Sequence, residues 1–161
     1  MIHRQSTQEE LHQEAQRFLR LADRDVKAFK VLKDAPEIHL ATVCFHAQQA
    51  IEKYLKAVLI RQGVELHKTH DLEELWAKLD KINITPPLNA EKLGKINPCA
   101  VTFRYDDTDI ELLSRDEAES MMDNIQRWAI KEVGYETEEE QNKENQKVTD
   151  GISNEMSGTR D

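Results

Sequence analysis

The chain has 161 residues, 39% of them hydrophobic, with 5 glycines, 4 prolines and a formal charge of −9. This suits one helical domain and excludes both a strand-rich fold of tight turns and a protein that coats nucleic acid with surplus lysine and arginine. No apolar run approaches the ~20 residues of a membrane span, the first residues lack the layout of a secretion signal, and two cysteines, Cys44 and Cys99, are too few for a disulfide framework, so a cytoplasmic protein with reduced thiols is expected.

In chain order, Ser6-Thr7-Gln8-Glu9-Glu10 holds two overlapping capping boxes, in which a hydroxyl and a glutamate satisfy the free amides of a helix start. Leu11, Ala15, Phe18, Ala22, Val26, Phe29 and Leu32 follow at steps of three and four, which predicts a long amphipathic first helix. Asp34-Ala35-Pro36 interrupts it, because proline disfavours helical geometry in the residue before it yet fits the first turn of the next helix. A second helix is expected from about Glu37 to Gln62, closed by Gly63 in the left-handed conformation. Its apolar arc is Val43, Ala47, Ala50, Ile51, Tyr54, Leu55, Val58 and Leu59. Opposite that arc His46, Gln49, Lys53 and Lys56 recur at three- and four-residue steps, so that they stack along one stripe.

After the connector Val64–Thr69, Asp71 is placed to cap a third helix and Glu74 to reach back, with Leu72, Leu75, Trp76 and Leu79 turned inward. Asn83–Asn89, with Pro86 and Pro87, reads as a turn, and Ala90–Ile96 as a short helix stopped at Asn97-Pro98. Cys99–Leu113 is the least regular stretch, centred on Phe103-Arg104-Tyr105-Asp106-Asp107. Ser114 and Glu117 form a further capping box, before a last helix whose inward face is Ala118, Met121, Met122, Ile125, Trp128 and Ala129. Beyond it the chain is polar, charged and nearly free of aromatics. Residues 133–161 hold eight acidic and three basic residues, so residues 134–161 are expected to be a disordered acidic tail behind a folded domain at 1–133. The folded part is only mildly acidic, and a local basic stripe there can still hold a phosphate.

The run Cys44-Phe45-His46-Ala47-Gln48-Gln49-Ala50-Ile51-Glu52-Lys53-Tyr54-Leu55-Lys56-Ala57, then Lys68-Thr69-His70-Asp71-Leu72 and Phe103-Arg104-Tyr105, resembles a HEPN domain over about Leu11 to Val133. The resemblance implies an all-α, antiparallel four- to five-helix up-and-down bundle, usually a homodimer. It also implies a frequent companion, a minimal nucleotidyltransferase, and relatives that bind nucleotides or cut RNA in toxin–antitoxin and phage-defence systems. RNA-cutting relatives carry an Arg, four to six residues, then a His near the last helix. There the histidine moves the proton of a ribose 2′-hydroxyl and the arginine steadies phosphate charge. Here Arg104 is followed at that distance by Asp109, Ile110 and Glu111, Arg115 by Ser120 to Met122, and Arg127 by Glu132, Val133 and Gly134. Arg61 and His67 satisfy the spacing but straddle a helix end and Gly63.

A binding role without chemistry of its own is therefore expected, for a nucleotide, an RNA or a nucleotidyltransferase partner. In it Arg104, Lys53 and Lys56 hold phosphate, Tyr105 stacks on a base, and His46 and Gln49 contact base or protein, with His70 and Asp71 at the edge. Each group also has a plainer use: Lys56 paired with Glu52 four residues earlier, Asp71 as a helix cap, Arg104 bridged to Asp106 or Asp107, His46 satisfied inside the bundle. Two other functions compete. One is a metal-independent endoribonuclease using Arg104, or Arg61 with a histidine from Val64–Asp71; the other is a purely structural dimerisation module. His67, His70 and Asp71 lack a further Cys or His nearby to define a metal site, and no glycine-rich phosphate loop is present, so neither metal nor cofactor is expected.

Overall fold

A computed structural model describes residues 5–100 and 113–134, together with residues 143, 146, 147 and 149, and the described residues form an all-α bundle of five helices. Of the two overlapping capping boxes, the second one forms. Thr7 Oγ1 accepts from the Glu10 amide at 3.1 Å, and the Glu10 carboxylate accepts from the Thr7 amide at 2.9 Å. From there α1 (Gln8–Leu32) runs with Ala15, Leu19, Ala22, Val26 and Phe29 buried along one side.

The second helix, α2, spans Leu40–Arg61, so it starts about a turn later than the sequence suggests. Pro36 lies in the connector, and His39 is the cap, its Nδ1 accepting from the Ala41 amide at 3.1 Å. Arg115 ties this connector down. Its guanidinium donates to the carbonyls of Leu32, Lys33 and Ala35 at 3.1, 2.7 and 3.0 Å and to that of Ile38 at 2.5 Å. One cation thus satisfies both the free carbonyls at the end of α1 and those of the connector.

The packing of α2 is not one-sided. Besides the expected arc, Ala41, Cys44, Gln48, Glu52, Ala57 and Ile60 are buried, because α1, α3 (Leu72–Lys81) and α5 (Arg115–Val133) all pack on it. Each fully buried leucine or isoleucine there contributes roughly 1.5–3 kcal/mol relative to an exposed one. Gly63 follows α2 with φ 74°, the left-handed conformation expected of it.

Asp71 caps α3 by accepting from the Glu73 amide at 2.9 Å, but Glu74 does not reach back to it; its carboxylate accepts from Thr69 Oγ1 at 2.7 Å. Asn97, just past α4 (Ala90–Ile96), donates to Asp71 at 2.8 Å and accepts from the Leu72 amide at 2.9 Å, tying the end of α4 to the start of α3. Cys99 and Ala100, expected to open an irregular stretch, have helical geometry. Cys44 and Cys99 are free and fully buried. Their mutual hydrogen bond draws the Cys44 thiol below its ordinary value, and that bond together with burial pushes Cys99 up.

The Ser114–Glu117 capping box forms and starts α5, which runs antiparallel to α1. Three contacts trace the pairing: Lys33 with Glu119, Asp23 with Gln126, and Gln16 with the Gly134 carbonyl. No helix among the described residues is long and apolar enough to cross a membrane. The expected disordered tail falls outside the described residues, apart from Lys143, Gln146, Lys147 and Thr149, which have helical geometry.

Candidate functional site

The α2 residues that keep partial exposure beyond its first residue are Thr42, Phe45, His46, Gln49, Lys53, Lys56 and Arg61, at near-helical spacing. The predicted stripe of His46, Gln49, Lys53 and Lys56 therefore lies along one seam of an otherwise buried helix. Two carboxylates divide that seam into two clusters.

The first cluster is built on Asp25 of α1. Its Oδ1 accepts from His46 Nδ1 at 3.1 Å, and its Oδ2 takes the Lys53 ammonium. An ionised carboxylate only accepts, so His46 Nδ1 is the donor of this pair. The cluster is partly solvated, with side-chain exposures of 14% for Asp25, 25% for His46 and 26% for Lys53. Next to it Asp23 accepts from the buried Tyr54 hydroxyl at 2.5 Å and from Gln126 Nε2 at 3.3 Å, joining α1, α2 and α5.

The second cluster is built on Glu52, one of the few buried polar residues. Lys56 Nζ lies 2.7 Å from its Oε1, and His70 Nδ1 lies 3.1 and 3.2 Å from its two oxygens. Gln49 Nε2 donates to Gln48 at 2.7 Å and to Glu52 Oε2 at 3.5 Å, while Gln48 Nε2 holds the His70 carbonyl at 3.3 Å. The His70 side chain is anchored from below yet 63% exposed, whereas Glu52 keeps only 5%. A buried acid thus fixes the orientation of an open imidazole, with Nε2 free toward solvent.

Of the eight residues singled out from sequence, the structure brings His46 and Lys53 onto one acid and Gln49, Lys56 and His70 onto the other. Asp71 is spent on capping α3 and holding Asn97. Arg104 and Tyr105 lie outside the described residues. Asp25 and Glu52 were not singled out as site residues, although a signal existed. Asp25 stands three residues after Ala22 and four before Phe29, in register with buried positions, and Glu52 stands four after Gln48 and three before Leu55.

Electrostatically the two acids cancel the two ammonium groups, leaving a neutral seam with two imidazoles at its rim. Lys53 and Lys56 each already donate to a carboxylate, so a phosphate there would share the cation with that carboxylate. Among the described residues no group of three His, Cys, Asp or Glu side chains is placed to hold a metal ion.

A family model described as the HEPN domain matches residues 15–128, from the middle of α1 into α5, and the match takes in both clusters. No curated protein and no solved structure matches the chain.

Proposed function

The chain belongs to the HEPN domain family, and we propose that it serves there as a non-catalytic binding module, a cytoplasmic homodimer whose α2 seam docks a protein partner of the minimal nucleotidyltransferase class. A pairing of the toxin–antitoxin or defence kind is the setting that this reading implies. The observation that carries it is the charge balance of the seam. Lys53 and Lys56 are already bound to Asp25 and Glu52, so the surface suits hydrogen-bonding protein groups better than a free phosphate, which needs uncommitted cations. His46, Phe45 and His70 supply the contacts: the Phe45 and His46 rings meet edge to face at 5.4 Å, a partly apolar patch, and His70 adds an open imidazole in the other cluster.

The test combines calorimetry with light scattering. The purified chain titrated with ATP should give no binding heat. Mixed with a nucleotidyltransferase encoded beside its gene, it should form a complex of defined mass that His46→Glu and His70→Glu both weaken. Micromolar ATP affinity in the chain alone, or a complex indifferent to both substitutions, overturns the reading.

One observation favours a second function, metal-independent RNA cleavage. Glu52 holds the His70 ring by Nδ1 and leaves Nε2 in solvent, the arrangement needed to move the proton of a 2′-hydroxyl. Arg61, its sequence-proposed partner, donates to Gln8 at 3.1 Å. Cleavage of labelled RNA in EDTA that vanishes in His70→Ala would establish this function in place of the first.

A further inference from the structure

Away from the seam, the outward side of α1 carries Arg17, Arg20, Arg24 and Lys27 at steps of three and four, with Glu14 three residues before Arg17 and Asp23 four before Lys27. The four span about 15 Å of helix. Arg17 shares its guanidinium with Glu14 at 3.0 and 2.7 Å and lies over the Phe18 ring at 5.0 Å. Arg24 and Lys27 are exposed. Arg20 has a buried Nη1 with no hydrogen-bond partner among the described residues, a donor that lacks an acceptor. Such a cationic line is unusual on a chain of net charge −9, and nothing among the described residues of α2 or α5 neutralises Arg24 or Lys27.

The end of α5 bears on this. The Gly134 carbonyl accepts from the Gln16 side chain, so Gly134 lies beside the residue that precedes Arg17. At Gly134 φ is 76°, a turn that glycine makes without strain. The next residues in the sequence include Glu136, Glu138, Glu139 and Glu140. From Gly134 to Glu140 an extended chain reaches up to about 20 Å, enough to run the length of the cationic line. We propose that the outward face of α1 is the docking face of this acidic segment of the same chain, which covers Arg17 to Lys27 and keeps other polyanions off them. Each surface pair is weak, but four carboxylates within a few residues of Gly134, facing the exposed Arg24 and Lys27 and the outer ends of Arg17 and Arg20, act at high effective concentration. The inference is independent of what the α2 seam binds.

The full chain tests it directly. Cys44 and Cys99 are fully buried, so Gln141→Cys provides one accessible thiol for a nitroxide label, read through relaxation of backbone amides. The expected result is strong broadening confined to the exposed side of residues 17–27. It should fall several-fold in 1 M NaCl, where the screening length is about 3 Å, and when Glu136, Glu138, Glu139 and Glu140 are all changed to Gln. Arg24→Glu with Lys27→Glu should do the same, and the tail variant guards against a folding defect because it leaves the bundle untouched. Broadening centred elsewhere, or unchanged by both sets of substitutions, overturns the proposal. So does broadening that persists when labelled chains are mixed with isotopically enriched unlabelled ones, since the segment would then dock on a second copy.

Discussion

The two longest helices, α1 and α2, differ in how many neighbours they have to satisfy. One side of α1 is apolar and the other faces water, so the exposed Arg24 and Lys27 need no partner inside the protein. α2 is packed from several directions, and its polar groups sit where solvent is scarce; hence Lys53, Lys56, His46 and Gln49 each have a bonded partner. A charged residue therefore means different things in the two places: along the α2 seam, which Asp25 of α1 joins, it belongs to a closed network, and on the outward side of α1 to an open electrostatic surface.

The strongest way to break that contrast is Glu52→Ala. It leaves Lys56, whose side chain is 13% exposed, without its counter-ion and frees the His70 ring, so stability in urea unfolding should fall by about 3 kcal/mol. Asp25→Asn, in the half-solvated cluster, should cost less, about 1 kcal/mol, because water can replace the lost charge on Lys53 and His46. Equal costs for the two would mean that burial does not separate the clusters.

The smallest effect belongs to the outer surface of α1. The Arg17 hydrogen bond and charge hold Glu14 below the ordinary carboxylate range despite partial burial. A depressed folded value contributes stability above the unfolded value, and that contribution is lost as pH falls through the folded one. Glu14→Gln should therefore flatten the acid side of the melting-temperature profile by no more than about 0.3 kcal/mol, since both partners are near half exposed. A larger change would show that the α1 surface is more tightly organised than its exposure implies.

Much of this architecture was legible without coordinates. Capping residues and apolar spacing act within one or two turns, so Thr7, Asp71 and Ser114 mark helix starts from sequence alone, and the core arc of α2 follows from its period. The stripe of His46, Gln49, Lys53 and Lys56 was visible for the same reason. Its character was not, because the compensating groups come from elsewhere: Asp25 lies 28 residues before Lys53 and His70 lies 18 after Glu52. The connector between α1 and α2 is likewise held by Arg115, some 80 residues further along. Local spacing specified the helices, their caps and their apolar faces, since those rest on neighbours in the chain. Which carboxylate meets which cation, and so whether the seam is charged or neutral, was decided only when packing brought distant segments within hydrogen-bond distance.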